Sequence, residues 1–239
     1  MIRLCVLFVS LVLVAACDEA VVTAPTGSAP TVQPVDTPRE LRTPDQSARA
    51  FAEVVRRVEP VAERECRART SGVDCDFRIL VDDRPRQPPN AYQTLDDNGR
   101  PIIAFTIALI ADARNEDELA FVMGHEAAHH IAGHIARQRQ NAAAGALIFA
   151  GLASAGGADA SAVERATRIG EQVGARSYSK EFELEADALG TIITARAGYQ
   201  PVKGAQFFNR IPDPGNRFLG THPPNAQRIE IVRRTAAGL

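Results

Sequence analysis

Three residues in one short segment have the side chains and the spacing of a hydrolytic metal site. His125 and His129 are four positions apart in a segment with helical periodicity, so their side chains project from the same face, one turn apart. Two imidazoles placed in this way can bind one zinc ion. Glu126 follows the first of them and can act as a general base on water activated by that ion. The H-E-x-x-H pattern therefore predicts metal-assisted hydrolysis, with one zinc ion per chain.

A zinc site of this kind needs a third protein ligand. In the longer pattern H-E-x-x-H-x-x-G-x-x-H, the third histidine would fall at position 135, which is isoleucine, so the sequence disfavours that class. His130 and His134 have the wrong helical phase to join the two ligand histidines. We expect them to pack or to form hydrogen bonds nearby.

A downstream acidic segment, residues 179–187, offers a better third ligand. Glu183 and Asp187 are four positions apart and therefore share one face of a predicted helix. Glu183 can complete the metal site, while Asp187 can orient a ligand histidine through a hydrogen bond. The spacing alone leaves an alternative equally open, in which these acids form a solvated helix face.

The elements around these residues predict an α+β fold that is mainly helical and has a small β-sheet beside the active-site helix. Hydrophobic spacing and turn signals predict helices over residues 45–69, 115–137, 178–197, 202–209 and 225–234, and strands over 77–81, 91–95 and 101–106. Pro60 is expected to kink or divide the first helix. The apolar segment 142–157 is too short and too rich in glycine to span a bilayer, and we expect a buried or mobile helix, or one resting on a membrane surface.

The N-terminus has the pattern of an export signal. One arginine precedes an apolar run over residues 4–16, and the run ends in Val-Ala-Ala followed by Cys17. This ending resembles the lipobox of bacterial lipoproteins, which implies a signal peptide over residues 1–16 and a lipid on Cys17. The alternative is a plain signal peptide with a cysteine at its end by chance. Residues 17–44 are rich in proline and threonine and predict a disordered linker, followed by one domain over 45–239.

The cysteines and the net charge indicate the redox state of the cysteines and which partners can be excluded. An exported chain reaches an oxidising compartment, so Cys66 and Cys75 are expected to form a disulfide; two free structural thiols are the alternative. The 27 basic and 29 acidic side chains give a formal charge of −2. This balance provides no basic surface for DNA or RNA, so we expect no nucleic-acid partner.

Three separated motifs resemble those of the M48 metallopeptidases. The segment 115–129 resembles the family's active-site helix, and the segment 181–190 resembles its E-x-E-A-D-x-x-G motif, in which Glu183 takes the position of the third zinc ligand. Thr221-His222-Pro223, with Arg228 following, resembles a T-H-P-x-x-x-x-R motif. Its histidine lies near the active site and in some members takes the fourth coordination position. Asn90 and Ala91 resemble the pair that precedes the edge strand.

The sequence departs from the family pattern at two places near the predicted sheet. The glycine-rich turn before the last strand reads Asp-Asp-Asn-Gly-Arg over residues 96–100, and the usual Thr-Gly-Leu after it reads Thr-Ile-Ala-Leu over 106–109. These departures concern the substrate cleft rather than the metal site. With no further transmembrane segment and no repeat domain in the sequence, the chain most resembles the small lipoprotein-type members.

The resemblance implies a zincin-like domain that acts as a zinc endopeptidase on unfolded or misassembled envelope proteins. Substrate is expected to lie along the strand near residues 102–105. The lipid anchor implies a periplasm-facing position in the cell envelope, on either the inner or the outer membrane. Two alternatives remain open. One is a periplasmic chaperone or assembly factor whose zinc site is kept latent by His222, and the other is a lipoprotein whose metal only stabilises the fold.

Overall fold

The computed structural model describes residues 42–217 and 220–239, so the predicted signal peptide, Cys17 and nearly all of the predicted linker lie outside the described residues. In the described ranges the helices are α1 Pro44–Arg69, α2 Ile107–Asp112, α3 Glu116–Ile131, α4 His134–Ala155, α5 Ala160–Arg176, α6 Ser179–Arg196, α7 Pro201–Gly204 and α8 Asn225–Ala237. The strands are β1 Arg78–Asp82, β2 Ala91–Leu95 and β3 Pro101–Thr106, and a 3-10 helix covers Ala205–Asn209. The prediction of a mainly helical α+β fold with a small sheet is confirmed. Helices α2 and α5 were not predicted.

The sheet has the strand order β1-β3-β2, with β3 in the centre. Strand β3 pairs in parallel with β1 and antiparallel with β2. The turn between β2 and β3 contains Gly99, which has a φ of 86°. The prediction that substrate adds to the strand near residues 102–105 is therefore wrong, because both sides of β3 are already hydrogen-bonded. The free edge on this side of the sheet belongs to β2.

Helix α1 supplies one wall of the main core. It begins with a capping box, in which the Gln46 amide donates to the Thr43 hydroxyl and the Thr43 amide donates to the Gln46 side chain. The helix is not divided at Pro60, which is exposed and lies inside the continuous span. Near its end Cys66 is joined to Cys75 by a disulfide, with the Cα atoms 5.7 Å apart. The disulfide ties α1 to the segment that enters β1.

Two clusters of apolar side chains fill the interior. The main cluster lies between α1, α3 and the sheet, where Phe51 and Phe105 meet with ring centroids 5.0 Å apart. A smaller cluster joins α3 to the C-terminal elements through Phe121, Phe208 and Val232. Helix α3 lies in contact with both clusters, so its position is fixed from two sides.

Helices α3 and α6 touch along their backbones because both have glycine at the crossing. A Cβ atom added to Gly124 would lie 2.8 Å from the Gly190 carbonyl oxygen, and one added to Gly190 would lie 2.8 Å from the His125 nitrogen. Thr194, one turn further along α6, donates its hydroxyl to the Gly190 carbonyl at 2.7 Å. This close approach brings the H-E-x-x-H segment against the acidic segment of α6.

The active-site helix is shorter than predicted. It was expected to continue to residue 137, but α3 ends at Ile131 and α4 begins at His134. Gly133 between them has a φ of 67°, a left-handed conformation that ends a helix and that glycine adopts without steric cost. The chain therefore changes direction immediately before His134.

Helices α4 and α5 form a hairpin packed at glycine positions. A Cβ atom on Gly145 or Gly170 would overlap the other residue's backbone, and one on Gly174 would overlap Asn141. The helix predicted over 142–157 lies in α4 and ends at Ala155. It is not buried, since Leu147 is 76% exposed and Leu152 is 68% exposed. Within residues 42–217 and 220–239, no helix combines the length and the apolarity that crossing a bilayer requires.

Candidate metal centre

The structure brings His125, His129 and Glu183 together. The Nε2 atoms of the two histidines are 3.0 Å apart. The Glu183 carboxylate lies 3.6 Å from Nε2 of His125 and 3.4 Å from Nε2 of His129. A tetrahedral zinc ion with bonds of about 2.1 Å holds its ligand atoms about 3.4 Å apart. The two nitrogens and the carboxylate thus have both the donor types and the spacing of a zinc site.

Polar contacts at the start of α3 hold the ligand-bearing helix in place. Asn115 caps the helix by accepting from the Glu118 amide at 3.0 Å. The buried Glu118 carboxylate in turn accepts from the Arg210 guanidinium at 2.6 and 3.0 Å. Asp117 accepts from the Gln200 amide at 2.9 Å and from Lys203 at 2.6 Å. The first turn of α3 is therefore tied to the segment that follows α6.

Asp187 lies directly behind His125. Its carboxylate is fully buried and its Oδ1 is 2.9 Å from Nδ1 of His125, the ring nitrogen that faces away from the other ligands. A carboxylate at this position fixes the orientation of the ring and keeps Nε2 free to bind a metal. The candidate ligand set is thus accompanied by a buried carboxylate that can support one of its members.

Arg228 is joined to the candidate site by contacts that the sequence did not predict. Its guanidinium donates to both Asp187 oxygens at 2.7 Å and lies 3.3 Å from the Glu183 carboxylate. It also covers the Phe208 ring at 4.0 Å. Two signals were available. Arg228 ends the T-H-P-x-x-x-x-R motif, and it lies on the same face of α8 as the apolar Ile229 and Val232, where a charge needs a partner.

The other ligand histidine has a different neighbour. Nδ1 of His129 is 2.8 Å from Nδ1 of His134, whose Nε2 is 3.3 Å from the Glu185 carboxylate. Burial, followed by the neighbouring His129, lowers the pKa of His134 to about 4, so His134 is neutral near pH 7. His130 points elsewhere, and its Nε2 lies 2.7 Å from the Asp74 carbonyl oxygen in the disulfide-closed segment.

Hydrogen bonds and nearby charges outweigh the effect of burial on the pKa values of Glu183 and His129. Burial opposes the charge of Glu183, but hydrogen bonds from His129 and His222 hold the pKa of Glu183 well below its ordinary value. Burial also opposes protonation of His129, yet its hydrogen bond with Glu183 leaves the pKa of His129 raised. The site therefore contains an ionised, buried carboxylate beside two imidazoles, an arrangement that favours a bound cation.

Glu126 and His222 both line the cavity in front of these ligands, which has a volume of about 620 Å³. His222 precedes α8 and is half exposed, and its Nδ1 lies 3.2 Å from Oε2 of Glu183. Among the described residues, the group of candidate ligand atoms within 4.8 Å of one another contains His125, His129 and Glu183 but not His222. His222 thus contacts the carboxylate rather than joining the ligand set.

Strand β2 borders the same cavity through residues 91–93. The Thr106 amide donates to the Asn90 carbonyl, and the Asp96 amide donates to the Arg100 carbonyl. Because hydrogen-bonded positions alternate along an antiparallel strand, the even-numbered residues of β2 bond to β3. The backbone groups of Ala91 and Gln93 therefore point away from the sheet.

Comparison with known proteins agrees with this geometry. The model of peptidase family M48 matches residues 48–236. A Vibrio cholerae protein with the name "Putative beta-barrel assembly-enhancing protease" is 34% identical to this chain over 150 residues, which are 56% of this chain and 30% of that protein. The mitochondrial metalloendopeptidase OMA1 of Saccharomyces cerevisiae is 28% identical over 176 residues, 68% of this chain and 47% of that protein.

A third relative, the beta-barrel assembly-enhancing protease of Escherichia coli O157:H7, is 32% identical over 142 residues, 54% of this chain and 29% of that protein. The chain thus spans less than half the length of these curated relatives. The family match nevertheless covers the active-site helix, the acidic segment of α6 and the His222 segment. The chain belongs to peptidase family M48.

Proposed function

We propose that this chain is a zinc-dependent endopeptidase that hydrolyses unfolded or misassembled proteins of the cell envelope. The observation that supports it most is the convergence of His125, His129 and Glu183 in a cavity that Glu126 also lines. Membership of peptidase family M48 supports the same reaction class. The three residues would hold the metal through two imidazole nitrogens and one carboxylate oxygen.

Zinc bound at these ligands supplies Lewis acidity, which polarises a peptide carbonyl and lowers the pKa of water. Glu126 provides the proton transfers. Its carboxylate can accept a proton from the attacking water and deliver it to the leaving amine nitrogen. Asp187 and Arg228 do not touch substrate in this proposal; they hold His125 and Glu183 in place.

The edge of β2 supports an extended substrate. The outward backbone groups of Ala91 and Gln93 can pair with a peptide chain that lies along the cavity as an additional strand. Pairing through backbone groups selects for an accessible, extended chain more than for particular side chains. Unfolded or misassembled proteins offer such segments, whereas compact native proteins do not.

The cell envelope as the place of action rests on two observations. Relatives from Vibrio cholerae and Escherichia coli are named for beta-barrel assembly. The residues before Cys17 have the pattern of a lipoprotein signal, so in our proposal a lipid on Cys17 attaches the domain to a membrane on its periplasmic side. Mass spectrometry of the membrane-extracted protein tests this, and an unmodified Cys17 would contradict it.

The decisive experiment compares the zinc-loaded chain from Asp18 onward with its Glu126→Gln variant on an unfolded test protein. Glu126→Gln keeps the ligands and removes only the base, so zinc content and thermal stability should match the parent while cleavage is lost. Glu171→Gln, at an exposed position of α5, is the matched control and should cleave as the parent does. Removing the metal with a chelator should abolish cleavage, and adding zinc back should restore it. Equal cleavage by parent and Glu126→Gln would overturn the proposal.

A latent enzyme with a chaperone or assembly role is the second candidate, and the contact between His222 and Glu183 favours it. A side chain held against a ligand can obstruct the approach of substrate. If His222 restrains the enzyme, His222→Ala should cleave the test protein faster than the parent. A slower rate would instead assign His222 to the reaction itself.

A further inference from the structure

We infer that His134 and Glu185 form a hydrogen-bonded relay that positions His129 as a metal ligand. The inference rests on the proposed zinc site and assigns its second histidine a support as specific as the one that Asp187 gives to His125. It concerns two residues outside the ligand set, on α4 and α6. Both act through His129 and neither contacts substrate.

The hydrogen bonds allow only one consistent placement of protons. For His129 to bind a metal through Nε2, its ring proton must be on Nδ1, which lies 2.8 Å from Nδ1 of His134. His134 must then accept at Nδ1 and carry its own proton on Nε2. That nitrogen is 3.3 Å from Oε2 of Glu185, an acceptor. Each group therefore has one role, and the relay ends on a carboxylate.

Packing against Phe182 and Arg137 holds the His134 ring and the Glu185 carboxylate in place. The His134 ring is 4% exposed and is stacked on Phe182, with centroids 4.5 Å apart and an interplanar angle of 12°. Arg137 donates to the same Glu185 oxygen at 2.7 Å, and its guanidinium lies 4.3 Å from the centre of the Phe182 ring. Glu185 is thus kept beside His134 by a second donor, and His134 has little freedom to rotate.

The break at Gly133 makes this contact possible. In an uninterrupted helix, residues five positions apart point about 140° away from each other, so His134 would face away from His129. The left-handed Gly133 turns the chain and returns the first residue of α4 to the back of the ligand. The relay therefore depends on the same feature that shortened the active-site helix.

The first test measures the zinc dissociation constant by competition with a chelator. His134→Phe keeps an aromatic ring on Phe182 but removes the acceptor, and zinc binding should weaken about 10- to 100-fold, as for other residues that support a metal ligand. His134→Asn restores an acceptor near the position of Nδ1 and should recover most of the affinity. His130→Phe is the matched control, since His130 contacts Asp74 and no ligand, and its zinc affinity should stay at the parental value.

The second test needs no variant. In the metal-free chain Nε2 of His129 faces the Glu183 carboxylate, so the test uses the zinc-loaded chain, in which our proposal places the metal on that nitrogen. Nitrogen chemical shifts of His134 then report which of its ring nitrogens carries the proton. We expect the proton of His134 on Nε2. A proton on Nδ1 of His134, or parental zinc affinity in His134→Phe, would overturn the relay. Neither measurement depends on peptide cleavage, so a failure of the proposed function would be seen separately, in the Glu126→Gln comparison.

Discussion

Two helix pairs of this chain are packed through glycine residues that let their backbones touch, but only one of the two contacts lies beside candidate metal ligands. In α3–α6, Gly124 and Gly190 let two backbones touch, and side chains beside that contact form the candidate metal centre. In α4–α5, Gly145 and Gly170 also allow backbone contact, but among the described residues the group of candidate metal ligands includes no residue of these two helices. Close packing by glycine is therefore a way to bring helices together, and the function comes from the neighbouring residues.

The surroundings of the two contacts explain the difference. The α3–α6 pair is covered by α1, α8 and the sheet, so its polar groups are buried and must be paired. Asp187 and Arg228 satisfy each other there at 2.7 Å. On α4 the outward face carries exposed Leu147 and Leu152, and residues 141–158 contain no charged side chain. Changes at the first contact should therefore affect both folding and metal binding, while changes at the second should affect only the hairpin.

The largest effect is expected from Asp187→Ala. It leaves the Arg228 guanidinium buried without its carboxylate, which should lower the free energy of unfolding by about 3–5 kcal/mol. It also removes the acceptor behind His125, so zinc should bind more weakly. Urea denaturation and chelator competition measure the two losses. A stable variant with parental zinc affinity would show that the ion pair is dispensable.

Gly190→Ala should have the next largest effect. Its Cβ would lie 2.8 Å from the His125 nitrogen and 2.9 Å from its Cα, so α3 and α6 must move apart. We expect a loss of about 1–3 kcal/mol in stability, as for other overpacked positions, together with weaker zinc binding. Gly151→Ala is the control, because a Cβ there meets nothing within 4 Å and alanine is the better helix former. It should bind zinc as the parent does.

Gly170→Ala applies the same change to the hairpin. A Cβ at this position would overlap Gly145 and lie 2.7 Å from the Phe149 Cβ, so α4 and α5 must separate. Hydrogen exchange of the α5 amides should become faster, because their protection depends on this contact. Zinc affinity should be unchanged. A loss of zinc affinity equal to that of Gly190→Ala would contradict the proposed independence of the two contacts.

The smallest effect is expected from Glu164→Gln. It removes the ion pair with Arg168 on the exposed face of α5, where both side chains are largely in solvent. Exposed pairs of this spacing contribute about 0.3–0.5 kcal/mol. The thermal midpoint should therefore barely move, and the shift should shrink further at high salt. A large loss of stability would show that this face of α5 is not simply solvated.

The sequence predicted the parts of the site that depend on local periodicity. The four-residue spacings of His125 and His129, and of Glu183 and Asp187, determine which side chains share a helix face. The bounds of β2 and β3 likewise follow from short apolar runs and a turn around Gly99. Each of these features is decided within a few residues of the chain.

The features that the sequence did not predict depend on distant contacts. Helical periodicity continues on both sides of Gly133, so the sequence did not locate the end of the helix, which the left-handed φ of Gly133 marks. The central position of β3 requires parallel pairing with β1, which no local pattern encodes. The pairing of Asp187 with Arg228 joins residues 41 positions apart. These features are set by packing, which is why the substrate strand was misassigned.

The hairpin of α4 and α5 begins and ends beside the candidate metal centre, and its two ends lie next to each other. Gln138, near the start of α4, donates to the Ala175 carbonyl near the end of α5 at 3.5 Å, so the two ends are neighbours. The length of chain between them therefore does not set the distance between the ligand-bearing helices. A graft that replaces residues 139–174 with a shorter turn, or with an unrelated hairpin, would keep both ligand segments in register. We therefore expect residues 139–174 to tolerate replacement, insertion and deletion without loss of the zinc affinity.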